Sequence, residues 1–505
     1  VPYFLFGALS LLLNACTAPR PIAAKKTPPN IVFFFIDDMG WQDTSVPFHT
    51  DTTQLNRQYD TPNMEKLAQE GVKFTQAYAY AVCSPSRISL MTGMNAARHR
   101  VTNWTLRKDQ SPDQENAKIQ SPEWNVNGLS AVPGQERSVY AETLPQLLKK
   151  AGYKTIHVGK AHFGAEGTSG EDPSNLGFDV NIAGHAAGAP GSYWAKYNYS
   201  ADWRSPGNHI WDVPDLEKYH GTDVYLTEAL TIEANAAISR AVEEKKPFYL
   251  YMSHYAIHAP WEKDERFYQK YIDAGLSEFD AVYASMLEGM DKSLGDIRAN
   301  LERLGVADNT IIIFMSDNGA PKQAARNRPL RGHKLTPYEG GTRVPMIAQW
   351  PGVTKAGTIV DDYLMIDDIF PTFLEMAGLP EEAKKSPDGV SFAPLLTGVG
   401  EYPSDRPLFW HYPNTYDQPP YSSIRKGDWK LIYHHTDRKL ELFNLKEDIS
   451  EEKNWLAVHR PKARELAELL TDYLVEVEAQ MPLDKISGKR VEYPSEALAN
   501  LPEKE

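Results

Sequence analysis

The run Asn30-Ile-Val-Phe-Phe-Phe-Ile36 is apolar without a break, where a half-exposed strand would alternate. It is short and rich in β-formers, so it predicts a central strand buried on both faces. Similar runs recur at 72–80, 155–158, 248–252, 310–315 and 344–349. Between them the apolar spacing turns helical over 143–151, 227–245, 280–304 and 367–377, and Thr61-Pro62 opens a further helix that Gly71 ends. This alternation predicts an α/β fold. Four of the strands finish on polar groups: Asp37-Asp38 after the first, Lys160 and His162 after 155–158, His254 and His258 after 248–252, and Asp317-Asn318 after 310–315. Open α/β sheets bind ligands at the carboxyl ends of their strands, so the four turns predict one shared site.

From residue 407 the texture changes. Short strands at 408–411, 422–425, 429–433 and 440–444 are separated by turns such as Lys426-Gly427-Asp428, and a helix is expected over 461–480. The pattern predicts a smaller antiparallel sheet carrying one helix. Residues 380–388 look linker-like, and nothing periodic follows Met481. The expected division is a catalytic domain over 30–395, a C-terminal α+β subdomain over 396–485 and a tail over 486–505.

Before Asn30 the chain carries an apolar run at 3–13, of signal-peptide length, followed by Leu13-Asn14-Ala15-Cys16. The latter resembles a bacterial lipobox, in which Cys16 is lipidated; a signal peptide without lipidation is the alternative. Residues 1–16 are then a signal with lipobox and 17–29, rich in Pro, Ala and Lys, a tether. Both alternatives predict export, and lipidation predicts a bacterial periplasmic or cell-surface protein that meets the membrane only through its anchor. The formal charge of −14, with no basic run, argues against a nucleic-acid partner. Cys16 and Cys83 are the two cysteines; with both engaged elsewhere, no disulfide is expected.

Cys83 sits in Tyr80-Ala-Val-Cys83-Ser-Pro-Ser-Arg87-Ile-Ser-Leu-Met-Thr92-Gly93. Ser84 and Pro85 suit an N-cap and first helical position, and Gly93 a helix end. Free N–H groups, the helix dipole and Arg87 would favour an anion beside Cys83, a thiolate or an oxyanion. Two readings stand on these residues: a nucleophile, or a small buried residue at a helix entry. Asp37-Asp38 likewise reads as a solvated turn or as a carboxylate pair bridged by a cation.

Cys83-x-Pro85-x-Arg87, continued by Ser89-Leu90-Met91-Thr92-Gly93, resembles the sulfatase signature. The resemblance extends over roughly 30–450, through Asp37-Asp38, Gly159-Lys160-x-His162-x-Gly164, His258-x-Pro260, Asp317-Asn318-Gly319, Leu330-Arg-Gly-x-Lys334, Tyr338-Glu-Gly-Gly341 and Ile424-Arg-Lys-Gly-Asp-Trp-Lys-Leu431. It implies an alkaline-phosphatase-like fold, a mixed sheet sandwiched by helices. The implied activity is sulfate-ester hydrolysis through a sulfated formylglycine formed on residue 83. In that family a maturase converts the cysteine to Cα-formylglycine, which implies such a partner here. By the same resemblance, Asp37, Asp38, Asp317 and Asn318, with residue 83, hold one divalent cation, usually calcium, which hard oxygen donors suit. The resemblance further implies that residue 83 would be the nucleophile, stabilised by Arg87, that Lys160 and Lys334 would bind sulfate, that His258 would protonate the leaving group and that His162 would take a proton from the hydrate.

Four further residues are candidates for substrate contact. His254 is either a partner of His258 or packing, His333 meets the leaving group or solvent, and His411 reaches the cleft or sits at a core edge. Trp194 belongs to an aromatic-rich insert at 185–220, which with the polar insert at 101–137 (Asn103, Trp104, Arg107) predicts a sugar-binding surface. The expected substrate is a sulfated glycan. A phosphonate or phosphodiester hydrolase of the same superfamily is the nearest alternative, and a non-catalytic glycan-binding lipoprotein a more distant one.

Overall fold

The structure is a computed structural model that describes residues 28–324 and 327–502. The expected signal, the lipobox with Cys16 and nearly all of the tether lie outside the described residues. The large sheet contains β1 (Asn30–Ile36), β2 (Val72–Tyr78), β3 (Lys154–Gly159), β4 (Val180–Ile182), β5 (Phe248–Ser253), β6 (Thr310–Ser316), β7 (Arg343–Gln349), β8 (Thr358–Val360) and β9 (Leu364–Met365). Their order is β8-β2-β7-β6-β1-β5-β3-β4, with β9 also on β2. Every pairing is parallel except the two that β7 makes, with β2 and β6, so the sheet is mixed.

Side chains of β1 alternate between two cores. Ile31, Phe33 and Phe35 face the core that holds Ile88, Leu144, Leu148 and Phe373; Val32, Phe34 and Ile36 face that of Leu230, Ile238, Leu287 and Leu294. One face is therefore covered by α2 (Cys83–Thr92), α3 (Leu144–Lys150) and α6 (Ile369–Met376), the other by α1 (Pro62–Glu70), α4 (Leu226–Glu243) and α5 (Glu278–Arg303). Phe33, Phe34 and Phe35 are fully buried, each worth roughly 2–3 kcal/mol in transfer from water. An unbroken apolar run is what this double burial requires.

The second unit is the meander β10 (Leu408–Tyr412), β11 (Tyr421–Lys426), β12 (Trp429–His434) and β13 (Leu440–Asn444), with α7 (Arg460–Glu476) against it. It is not a free appendage. Trp410 packs on Tyr78 and donates to the Ala79 carbonyl at 2.9 Å, and Leu408, Trp410 and Tyr412 share the core of the large sheet. The linker-like stretch is also tied down: Asp388 accepts from Asn95 N, from Arg98 and from Tyr473 OH. Past Met481, where no periodicity is legible, Pro494–Asn500 forms α8, whose Ala497 and Leu498 enter the C-terminal core.

Two sequence motifs with no evident role meet at the junction. Glu339 and Glu451, both fully buried, sit 2.9 and 3.0 Å from Lys430 Nζ, and Tyr78 OH donates to Glu339 at 2.6 Å while Arg425 reaches Tyr78 OH. The buried ionic cluster fastens the loop carrying Lys334 to the second unit.

Candidate active site

The four strand ends converge as expected, and α2 points its first turn at them. The helix begins at Cys83 with Val82 as N-cap, two residues earlier than an N-cap at Ser84 would put it. Ser84 Oγ instead accepts from Thr105 N at 3.2 Å, fixing the 101–137 segment beside the helix. Gly93, at φ 68°, ends the helix in the left-handed region that glycine enters without strain.

Asp37, Asp38 and Asp317 lie together, buried, with Arg87, Lys160 and Lys334 among them, three carboxylates against three cations. Arg87 places Nε and Nη2 on Asp317 at 3.0 and 2.8 Å and Nη1 on Ser253 Oγ at 2.6 Å. Lys160 Nζ is 2.6 Å from Asp37, and Lys334 Nζ is 2.6 Å from Asp38 and 3.3 Å from Cys83 Sγ. The Cys83 thiol points at Asp37 Oδ1, 3.7 Å away. Asn318 donates to Asp38 at 2.7 Å.

Burial raises the Asp37 carboxyl well above its ordinary value despite Lys160. Burial would do the same to Asp38 and Asp317, but Lys334 and His258 at the first and Arg87 and Lys160 at the second win, and both are held low. Burial pushes the Cys83 thiol up to about 12, against the pull of Lys160 and Lys334. The helix N-terminus and neighbouring cations therefore do not make a thiolate here. Cys83 as an unmodified thiol is a poor nucleophile in this position.

Oxygens of Asp37, Asp38 and Asp317 and the Cys83 sulfur lie within 4.8 Å of one another, and Asn318 Oδ1 is buried without a hydrogen-bond partner. Three carboxylates and an unpaired amide oxygen around one point are a donor set for a hard divalent cation. The residues present thus fit the group that the sequence motif implies.

The two expected acid–base histidines occupy different settings. His162, at φ 57°, brings Nε2 to 2.7 Å from the Thr105 carbonyl; a carbonyl only accepts, so Nε2 carries the proton and Nδ1 is the free lone pair, buried and without a partner. Gly188 lies flat on that ring: a Cβ there would stand 2.3 Å from His162 Cε1. His258 is partly exposed, with Nε2 3.7 Å from Asp38 and Nδ1 2.7 Å from the Ala259 carbonyl. Burial lowers it to about 4, with Asp38 pulling the other way.

A cavity of about 480 Å³ opens over this cluster. Asp38, Cys83, His162, His258 and Lys334 line it on the cluster side, and Trp104, Trp211, Trp261, His333, Tyr416 and Asp417 also line it. Arg87 and Lys160 stand behind, fully buried. Three substrate candidates lie elsewhere. His254 is buried with Nε2 2.9 Å from Ser293 Oγ, its ring beside Phe34. Trp194 is buried edge-on against Tyr225 and under Lys196. His411 is spent inside the second unit, Nδ1 2.8 Å from Ser422 Oγ and Nε2 3.1 Å from the Gln480 carbonyl. Of the four only His333 reaches the cavity. Trp261, Tyr416 and Asp417 escape sequence reading; the signals available were the tryptophan directly after His258-Ala-Pro260 and the loop Pro413–Pro420 itself, bounded by prolines at both ends.

The sulfatase family model matches residues 29–379 of the chain. The chain belongs to the sulfatase family. As a sulfatase it is a hydrolase of sulfuric esters, with the alkaline-phosphatase-like fold of its relatives. A second model, the C-terminal domain of N-sulphoglucosamine sulphohydrolase, matches residues 333–480. A sulfatase of Formosa agariphila is 31% identical, covering 90% of this chain and 88% of that protein. The N-acetylgalactosamine-6-sulfatase of Canis lupus familiaris is 32% identical, covering 80% and 72%. Among solved structures, that of Ps i-CgsB in complex with k-i-k-neocarrahexaose aligns with TM-score 0.71 at 25% identity, covering 89% of this chain and 93% of that one. No helix among the described residues is long and apolar enough to cross a membrane.

Proposed function

We propose that this sulfatase removes sulfate from a sulfated carbohydrate, with residue 83 acting as Cα-formylglycine, and that it works as an exported, lipid-anchored bacterial protein. The observation that carries the reading is Cys83 in the first turn of α2, 3.3 Å from Lys334 Nζ and 3.7 Å from Asp37, under a cavity lined by Trp104, Trp211 and Trp261. Relatives that are an N-acetylgalactosamine-6-sulfatase and a protein solved with a neocarrahexaose support the carbohydrate class.

Formylglycine supplies a hydrated aldehyde as nucleophile, which a buried neutral thiol cannot replace. A maturase partner is needed to produce it from Cys83. Asp37, Asp38, Asp317 and Asn318 would hold one Ca²⁺, which when bound polarises sulfate oxygens. Lys334 faces the cavity and takes the sulfate oxygens as charge builds on them, with Lys160 adding positive charge from behind. Arg87, locked on Asp317 and Ser253, stabilises residue 83 at fixed geometry. His258 Nε2 delivers the proton to the departing alkoxide; the arriving sulfate brings the negative charge that favours its imidazolium. His162 accepts a proton at Nδ1, since the Thr105 carbonyl fixes the proton on Nε2. That transfer lets sulfate leave and the aldehyde return, a route closed to a serine alcohol.

The competing phosphonate or phosphodiester hydrolase would use the same groups. Rates on matched sulfate, phosphonate and phosphodiester esters of one alcohol separate them: preference for the sulfate ester is expected, and preference for a phosphorus ester would overturn the assignment.

A further inference from the structure

The cavity is built by both units. Trp104, Trp211 and Trp261 come from the first, Tyr416 and Asp417 from the loop between β10 and β11 of the second. Trp104 and Tyr416 meet edge to face with centroids 5.4 Å apart. The Tyr416 carbonyl accepts from Tyr412 OH at 2.8 Å and from Gln418 N, so the loop is held from below. Asp417 follows at φ 54°, exposed, with no hydrogen bond or ion pair among the described residues. Among the described residues that line the cavity, Asp38 and Asp417 are the only carboxylates, and Asp38 is held by Lys334 and Asn318.

A carboxylate at the rim of a pocket for an anion repels the anion as it arrives. The arrangement is favourable only where the rest of the substrate brings donors to it, because a carboxylate accepts and cannot donate. Sugar hydroxyls do that, and the neighbouring rings offer the flat apolar face that a sugar ring needs. The volume of about 480 Å³ suits a sulfated sugar unit rather than a long segment of chain.

We propose that Tyr416 and Asp417 select the leaving group: a terminal sugar whose ring lies along the Trp104–Tyr416 wall and whose hydroxyls bond Asp417, with no second anionic group on that side. This rests on the sulfatase reading above. Asp417 excludes uronates and further sulfates by like-charge repulsion, and Tyr416 supplies ring contact.

The test compares kcat/KM for three substrates of formylglycine-bearing enzyme: an aryl sulfate, a neutral hexoside monosulfate, and the same sulfated hexose linked to a uronic acid. The parent is expected to favour the neutral hexoside over the uronate-bearing one. Asp417→Asn keeps the left-handed backbone that asparagine tolerates and removes the charge; it is expected to shrink that preference about tenfold. Tyr416→Ala is expected to lower the hexoside-to-aryl ratio about tenfold. A variant that is merely misfolded lowers all three alike. Unchanged ratios, or a parent that favours the uronate-bearing substrate while still cleaving aryl sulfate, would overturn the proposal and leave the sulfatase reading intact. A matured enzyme that cleaves none of the three would overturn the function itself.

Discussion

The contact between Gly188 and His162 gives a sharp lever on the chemistry. Gly188→Ala adds one methyl, and no left-handed φ at Gly188 opposes it, so its effect is one of space. The new Cβ would lie 2.3 Å from Cε1 and 2.4 Å from Nδ1 of His162, where 3.4 Å is ordinary contact. The ring must retreat by about 1 Å, and it cannot do so while Nε2 stays 2.7 Å from the Thr105 carbonyl. Either the tautomer-fixing bond is lost or the methyl covers Nδ1. A misplacement of that size costs on the order of 10²-fold in rate. With His162 in the proposed role of accepting a proton as residue 83 is restored, the loss should fall on turnover after the first. In a rapid-mixing assay with aryl sulfate, one equivalent of phenol should appear near the parental rate, followed by a steady state about 100-fold slower. A kcat within threefold of the parent, at equal formylglycine content, would refute the steric reasoning; first and later turnovers slowed alike would refute the role given to His162.

Three further outcomes are expected. Lys430→Met strips the shared cation from Glu339 and Glu451, and breaking a buried pair costs roughly 3–5 kcal/mol, so urea unfolding at pH 8 should show a loss of about that size; a change under 1 kcal/mol would contradict it. Stability should fall between pH 7 and pH 5. His99, His157 and His254 are depressed by burial to about 3 and His411 to about 4, so the unfolded chain takes up protons below 6.5 that the fold refuses, about 2 kcal/mol for each by pH 5. His185, lowered by burial to about 4, and His435, lowered further, add to the loss, while Asp291 and Glu451, raised by burial to about 6 and about 7, gain protons in the fold and offset part of it; equal stability at the two pH values is the contrary result. Calcium at about 100 times its dissociation constant should stabilise the fold by about 2.7 kcal/mol, read as a rise in Tm that EGTA reverses and Asp317→Asn removes. A Tm indifferent to calcium would count against the cation site.

The core of the site was legible because it is written at strand ends. Apolar runs of fixed type stop abruptly on Asp37-Asp38, on Lys160 and His162, ahead of His258 and on Asp317-Asn318, and a sheet that is almost wholly parallel brings all four stops to one edge. The single reversed strand, β7, was not legible, since residues 344–349 carry the same apolar texture as their parallel neighbours. Substrate contacts were harder for a physical reason. Whether a ring packs inward or lines a cavity depends on loop conformation, and Trp194 and Trp211, in one insert, took opposite fates. His411 drew notice as a histidine on a predicted strand, yet the strand's pleat turned it into the second unit's own hydrogen bonds, while the loop just beyond supplied Tyr416 and Asp417. The motifs around Glu339 and Lys430 had no chemistry to suggest from spacing alone; only tertiary contact shows that they neutralise one another.

The most direct measurement is sulfate release, followed by ion chromatography, from a panel of sulfated oligosaccharides with protein produced alongside a maturase and a Cys83→Ala control. Release from at least one glycan, abolished in the control, is the expected result. Fully matured protein that frees no sulfate from any glycan, or a control that frees as much as the parent, would contradict the assignment of residue 83 and of the substrate class.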